Sequence, residues 1–458
     1  MELALTGMDV FKLLPKTNCR ECGYVTCLAF AMDMAAGKIE LSACPYASEE
    51  ARKKLAELEQ PPVRLVVIGA GDKASRLGGE KGAFRHEHKF ESPTGLAMLV
   101  ADTLDDVEVD SRLSRFHGLQ YERIGLVLRA GLIALKCESR DPRRYAGVVE
   151  RVKNHSDANI ILIGEDPDVL SAGLEVCGDR KPLVHAATPE NAEEVAGLAK
   201  QHQCPVAARA PELGQLAELT GRLEKLGIHD IVLDAAPTSM RQAFEQQTTI
   251  RDAAVSEKVR PLGFPTMVFG SDLTDDPIEE SLFASVLLAK YAGLIVLSDF
   301  QPETLFPLLL QRMGIFTDPQ KELMAPEGVY EIGEPDQDSP VLLTSTWSLS
   351  FLKLSSAIEQ AGVPALMCAV CLDEEVDIMC WCDYCLCSSQ RGDFKTGSLA
   401  GFFEKHGLKD RVKHNKLIIP GNNAEFQSQV EGALPGWEIV VGPGHENMIP
   451  AFLRNRGH

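Results

Sequence analysis

From residue 63 to about residue 320, short apolar runs rich in Val, Ile and Leu alternate with longer stretches of helical periodicity. The runs at 64–68, 124–128, 160–163, 183–186, 205–208, 231–233, 263–268 and 294–297 are predicted strands. Several are apolar almost without interruption, as parallel strands buried on both faces require. Eight βα units in roughly 260 residues fit a (β/α)8 barrel, with a doubly wound sheet as the alternative. Upstream, helical patterns at 8–14, 27–36 and 48–58, the last opened by Ser48 before Glu49 and Glu50, predict a small helical unit. Downstream of the turn-rich stretch 331–340, strands at 341–344, 366–370, 416–419 and 439–441 alternate with helices at 348–361 and 398–406, which predicts a smaller open α/β domain. The expected domains are therefore 1–60, 61–325 and 326–458.

The 458 residues, 45% hydrophobic and 24% charged, are those of an ordinary globular protein. Apolar runs are of strand length, far from the roughly 20 residues that span a bilayer, and no secretory signal opens the chain, so a cytoplasmic protein without membrane contact is expected. A formal charge of −20 with no basic aromatic-laced patch disfavours nucleic acid. Thirteen cysteines change the picture more than charge does: a cytosolic chain keeps thiols reduced, and ten of them crowd into two segments.

The first segment reads Cys19-x2-Cys22-x4-Cys27-x16-Cys44-Pro45. Three thiols close in sequence and a fourth returning from the next helix can wrap an iron–sulfur cubane, one thiolate per iron, so a [4Fe-4S] cluster is expected. Zinc is the alternative, but its sites usually pair two C-x2-4-C knuckles, and only one such pair is present.

The run at 13–23 (Leu-Leu-Pro-Lys-Thr-Asn-Cys-Arg-Glu-Cys-Gly) resembles the cluster domain of the large (gamma) subunit of the corrinoid iron–sulfur protein of the acetyl-CoA decarbonylase/synthase system. The resemblance continues through 84–87, 92–95, 260–266, 289–293, 317–321, 330–333, 416–421, 434–437 and 441–443, and so covers nearly the whole chain. It implies a cluster domain, a TIM barrel and a flavodoxin-like domain that holds a cobamide (corrinoid) against the barrel. The chain would then carry a methyl group from a pterin-dependent methyltransferase toward acetyl-CoA synthase, paired with a small corrinoid-protein subunit, and would not be a self-sufficient enzyme. The cluster would return Co(II) to the nucleophilic Co(I) state. Thr344, Thr346, Gly421, Gly442 and Pro443 fall in the positions implied to face the cobamide.

One stretch departs from that family. Where an apolar cap is expected, this chain has Cys368, Cys371, Cys380, Cys382, Cys385 and Cys387. Their spacings suit a second Fe-S or Zn centre, thiols beside a retained corrinoid, or plain core packing. A corrinoid-free relative, acting in electron transfer or metallocofactor handling, is thus the rival function; a barrel methyltransferase is a third, lacking an assignable base or pterin-binding acid. Isolated Cys137, Cys177 and Cys204 read as buried structural thiols. His86 is expected in a βα loop at the site-bearing end of the barrel, or else as a hydrogen-bonded loop residue, and the turn at Gly69-Ala70-Gly71 is only a fragment of a nucleotide loop.

Overall fold

The computed structural model describes residues 7–35, 38–49, 51–52, 60–321, 323–371 and 397–455. It divides into two compact units, Met1–Leu119 with Ala130–Phe316, and Gln120–Arg129 with Thr317–His458.

In the first unit, helices α1 (Gly7–Leu13) and α2 (Cys27–Ala35) bury Val10, Phe30, Ala31 and Met34 in a small core of their own. Thr26 starts α2 by accepting the Ala29 N–H on its hydroxyl at 3.1 Å. The Ser48 hydroxyl likewise accepts from Ala51 N, and the remainder of the helix expected there, 53–58, lies outside the described residues.

The barrel is closed and all parallel. Strands β1 (Val66–Ile68) and β2 (Ser75–Leu77) form an antiparallel hairpin, and β3 (Gly95–Ala101) opens the barrel. After β4 (Tyr121–Arg123) and β5 (Leu126–Leu128), which belong to the other unit, the barrel continues. Its remaining strands are β6 (Leu132–Lys136), β7 (Asn159–Ile163), β8 (Leu183–Ala187), β9 (Val206–Arg209), β10 (Ile231–Asp234), β11 (Thr266–Phe269) and β12 (Ala292–Leu297). Each pairs with the next, and β12 pairs with β3. Three of the outer helices begin with Asp-Pro, at Asp141, Asp166 and Asp276: the carboxylate caps free N–H groups and the proline presets the first helical φ.

Two expected strands need correction. Residues 64–68 do not enter the barrel wall. Val66, Ile68 and Leu77 instead point into the barrel's interior cluster with Ala97, Leu132, Ile161, Val232 and Leu294. Gly69 N donates to Lys181 O, Arg64 N to Gly263 O, and the Asn159 amide to Lys73 O, all at residues that precede or open a barrel strand. The hairpin is therefore a plug in the N-terminal mouth. Gly69, at φ +100°, lies so close to the Asn159 side chain that any Cβ would collide with it. Residues 124–128 likewise leave the barrel, and β6 replaces them.

The second unit carries β13 (Gly328–Ile332), β14 (Val341–Ser345), β15 (Ala365–Val370), β16 (Lys416–Ile419) and β17 (Glu438–Val441) in the order β13-β15-β14-β16-β17. The edge strand β13 is antiparallel and the other four are parallel. Counted along the chain the parallel strands run 2-1-3-4, the flavodoxin order, so the topological switch point lies between β14 and β16. Leu343, Leu366, Phe402, Phe403 and Trp437 fill its core. In the β4–β5 hairpin Gly125 takes φ +67° and lies directly on the Tyr330 ring, where no side chain fits.

Candidate functional site

The four N-terminal cysteines lie on a loop that reverses repeatedly. Lys16, Asn18, Arg20 and Gly23 all take positive φ, which makes the segment wrap rather than run. Asn18 uses its side chain to hold the loop to α2, accepting the Cys27 N–H at 2.8 Å. The Tyr46 hydroxyl donates to Glu21 at 2.8 Å and so ties the neighbourhood of Cys44 to that of Cys19 and Cys22. Cys27 and Cys44 are buried, Cys19 and Cys22 half-buried, and none of the four is in a disulfide. Cys27 opens α2, and Lys16 and Arg20 bring positive charge to the same loop. Among the described residues no three His, Cys, Asp or Glu side chains close on one point as around a single ion. A cubane asks for something wider, with each thiolate on its own iron. Four free thiols on a wrapped, half-open loop fit that demand.

At the second unit's switch point the carboxyl ends of β14, β16 and β17 bring the expected cofactor residues together. Gly421 follows β16, and Gly442 and Pro443 follow β17; Gly421 N donates to Pro443 O at 3.1 Å and Gly442 N to Ile419 O at 2.9 Å. A Cβ on Gly421 would fall 2.5 Å from Gly442 O, so backbone meets backbone with no room for a side chain. Thr344 and Thr346 are buried at the end of β14, and the Thr344 hydroxyl is already paired with Ser350 at 2.9 Å, turned toward the following helix. The sequence passed over two neighbours: buried Ser345 Oγ and Asn423 Oδ1 find no hydrogen-bond partner among the described residues. Close-packed turns free of side chains, together with unpaired buried polar atoms at the switch point, fit a large polar cofactor.

Of the second cysteine group, Cys368 is fully buried in the core beside Leu343 and Val370, and burial pushes its thiol up to about 12. Cys371, at the end of β15, is exposed, and Cys380, Cys382, Cys385 and Cys387 lie outside the described residues. Cys177 and Cys204 are buried barrel thiols, each pushed to about 12 by burial. Cys137 is half-buried and donates to Asp102 at 3.3 Å. His86 stacks on Phe84 ahead of β3, so it stands in no βα loop.

The carboxyl ends of the barrel strands hold polar residues that sequence reading missed. Asp234, fully buried at the end of β10, accepts from His185 Nε2 at 2.8 Å and Arg209 Nη1 at 2.7 Å, both on Oδ2, while its Oδ1 accepts the Ala236 N–H at 2.8 Å. Burial raises the Asp234 carboxyl, but the His185 hydrogen bond and the nearby charges of His185 and Arg209 outweigh it and hold the acid below its ordinary range. Each of these residues stands at or near the end of an apolar run, the position where barrel strands deliver functional side chains, and that was the available signal.

A cluster-type cysteine loop, a closed barrel and a flavodoxin-order domain define a modular iron–sulfur protein of the α/β class. A family model described as CO dehydrogenase/acetyl-CoA synthase delta subunit matches residues 65–453, and an Fe-S cluster model matches residues 14–46. The corrinoid/iron-sulfur protein large subunit of Moorella thermoacetica is 36% identical over 99% of both chains. The acetyl-CoA decarbonylase/synthase complex subunit gamma of Methanopyrus kandleri is 32% identical over 99% of this chain and 98% of its own. This chain belongs to the corrinoid/iron–sulfur protein large-subunit family. A dihydropteroate synthase from Coxiella burnetii, 11% identical, aligns with 55% of this chain and 98% of its own at a TM-score of 0.38. Among the described residues no helix is long and apolar enough to cross a membrane.

Proposed function

We propose that this chain is a methyl and electron carrier of acetyl-CoA metabolism, a carrier component in the cytoplasm rather than a self-sufficient enzyme. Its [4Fe-4S] cluster would be held by Cys19, Cys22, Cys27 and Cys44, and its cobamide would be bound at the switch point of the C-terminal unit. When bound, the cobamide would supply a cobalt that accepts and releases the methyl group, and the cluster a low-potential electron that returns Co(II) to Co(I). The chain's own part is placement. The turns at Gly421 and at Gly442-Pro443 pack backbone to backbone and would keep side chains out of the end of the sheet, Ser345 and Asn423 offer hydrogen bonds to the polar periphery of a macrocycle, and buried Thr346 closes the end of β14. The wrapped loop keeps Cys19 and Cys22 partly open, so an electron can leave the cluster edge. Partners on this reading are a small corrinoid-protein subunit, a pterin-dependent methyltransferase and acetyl-CoA synthase.

The observation that carries the reading is the pair of glycine turns at the carboxyl ends of β16 and β17, with unpaired buried Ser345 Oγ and Asn423 Oδ1, at the flavodoxin-type switch point. Its test is metal analysis and an absorption spectrum on protein purified anaerobically with the small subunit and cobalamin. The expected result is about one cobalt and about four irons per chain. Gly421→Leu should lose the cobalt and keep the iron. About eight irons with no cobalt would overturn the reading and point to a corrinoid-free electron carrier with a second centre on Cys371, Cys380, Cys382, Cys385 and Cys387.

A further inference from the structure

The residues proposed above for the cobamide include none from the mouth of the barrel. A cavity of about 790 Å³ opens there, within the range that takes a small molecule. Leu99, Ile163 and Phe269 give it apolar walls, and His185 and Arg209 lie on its lining above the fully buried Asp234. Nothing in the cluster domain or the C-terminal unit needs a buried carboxylate under a barrel mouth.

The hydrogen bonds at this floor specify what a ligand would meet. Asp234 is held ionised and can only accept, so His185 Nε2 carries the proton that points at it. With Nε2 committed to Asp234, Nδ1 is the ring nitrogen left to the cavity, and it has no partner among the described residues although His185 is only 4% exposed. Arg209 spends Nη1 on the same Asp234 oxygen, while Nη2 stands 3.9 Å from Asp272, too far for a hydrogen bond. Because both side chains are fixed on one oxygen atom, an unpartnered ring nitrogen and free guanidinium donors sit next to each other. Phe269 lies against both, 5.0 Å from the His185 ring and 6.0 Å from the Arg209 guanidinium.

The charge around the mouth argues against an anion. Glu138, Glu165, Asp166 and Asp272 line it with Lys136, Arg140 and Arg209, of which Lys136 is paired with Glu138 at 3.1 Å and Arg209 with buried Asp234. We propose that the barrel mouth is a second ligand site, separate from the residues proposed for the cobamide, that takes a neutral planar molecule with an amide-type edge. The edge's N–H would donate to His185 Nδ1, its C=O would accept from Arg209, and its flat face would rest in the apolar walls. The assignment does not depend on the methyl-carrier reading, since it uses no residue of the cluster loop or the C-terminal unit.

The test is titration of the anaerobically purified full chain, labelled with 15N-histidine, with 2-pyridone as the lactam probe. Acetate and inorganic phosphate serve as anionic controls. The expected result is a saturable shift of one Nδ1 resonance with 2-pyridone, absent in His185→Gln. Arg209→Gln, which removes a partly exposed side chain and leaves the buried histidine in place, should weaken binding about tenfold, the worth of one hydrogen bond to a charged donor. An unchanged cluster spectrum and circular dichroism would show that both variants fold. No saturable shift with 2-pyridone in a protein that retains its cluster would overturn the proposal. Binding of acetate or phosphate in its place would overturn the ligand class, and binding unaffected by Arg209→Gln would overturn the site.

Discussion

The N-terminal loop and the domain cores use the same side chain for opposite ends. Cys19 and Cys22 lie half-open on a segment that left-handed turns fold back on itself, with Cys27 and Cys44 just beneath. Cys177, Cys204 and Cys368 fill apolar space between strands and helices, and burial makes each a very weak acid at about 12. Cysteine count alone therefore says little; what surrounds the sulfur decides whether it binds metal or packs like a small hydrophobe.

The strongest way to break this contrast is substitution. Cys22→Ser is expected to abolish nearly all bound iron and the visible absorption of the anaerobic protein, while Cys177→Ala should leave both intact; equal iron loss in the two would erase the distinction. Next in size is alkylation of metal-free protein with iodoacetamide near pH 8, read by peptide mass spectrometry. Thiols at about 12 hold on the order of one thiolate in ten thousand there, so buried Cys177 and Cys368 should stay unmodified while the half-buried Cys19 is alkylated.

A pH series sharpens the same point. A thiol whose folded value is raised from 9.0 to about 12 favours the folded state fully below 9 and loses that contribution as pH climbs toward 12. Unfolding free energies from urea titrations should therefore fall between pH 8 and pH 10 by about 1.4 kcal/mol for each such thiol. Cys177→Ala, with no proton to lose, should flatten part of that slope. The smallest effect is expected from Asn18→Ala, which removes the hydrogen bond to Cys27 N and should cost about 1 kcal/mol, seen as faster loss of iron to a chelator.

Much of the fold is legible in the pattern of residues because buried parallel strands leave unbroken apolar runs. Strands β7 to β12 announce themselves in this way, as do β14 to β17. The two missed barrel strands show the limit. β3 reads Gly-Leu-Ala-Met-Leu-Val-Ala and β6 reads Leu-Ile-Ala-Leu-Lys, sequences whose small and unbranched residues suit tight barrel packing but carry little strand preference. The plug hairpin deceives in the other direction: Val66 and Ile68 are as apolar as any wall strand because they face the barrel interior. The cysteine loop stands out from spacing alone, since its thiols are close in sequence. The trio His185, Arg209 and Asp234 comes from three strands, and only closure of the barrel makes neighbours of residues 49 positions apart.

One feature of the topology acts while the chain is still being made. The β4–β5 hairpin belongs with the C-terminal unit, yet Gly125 leaves the ribosome about 200 residues before the Tyr330 that covers it. At about 5 to 20 residues per second this is a wait of roughly 10 to 40 seconds. During that interval the hairpin hangs between two barrel segments with its glycine face bare, so a nascent chain stalled before residue 330 should present 120–129 to proteases and chaperones even after its barrel has closed.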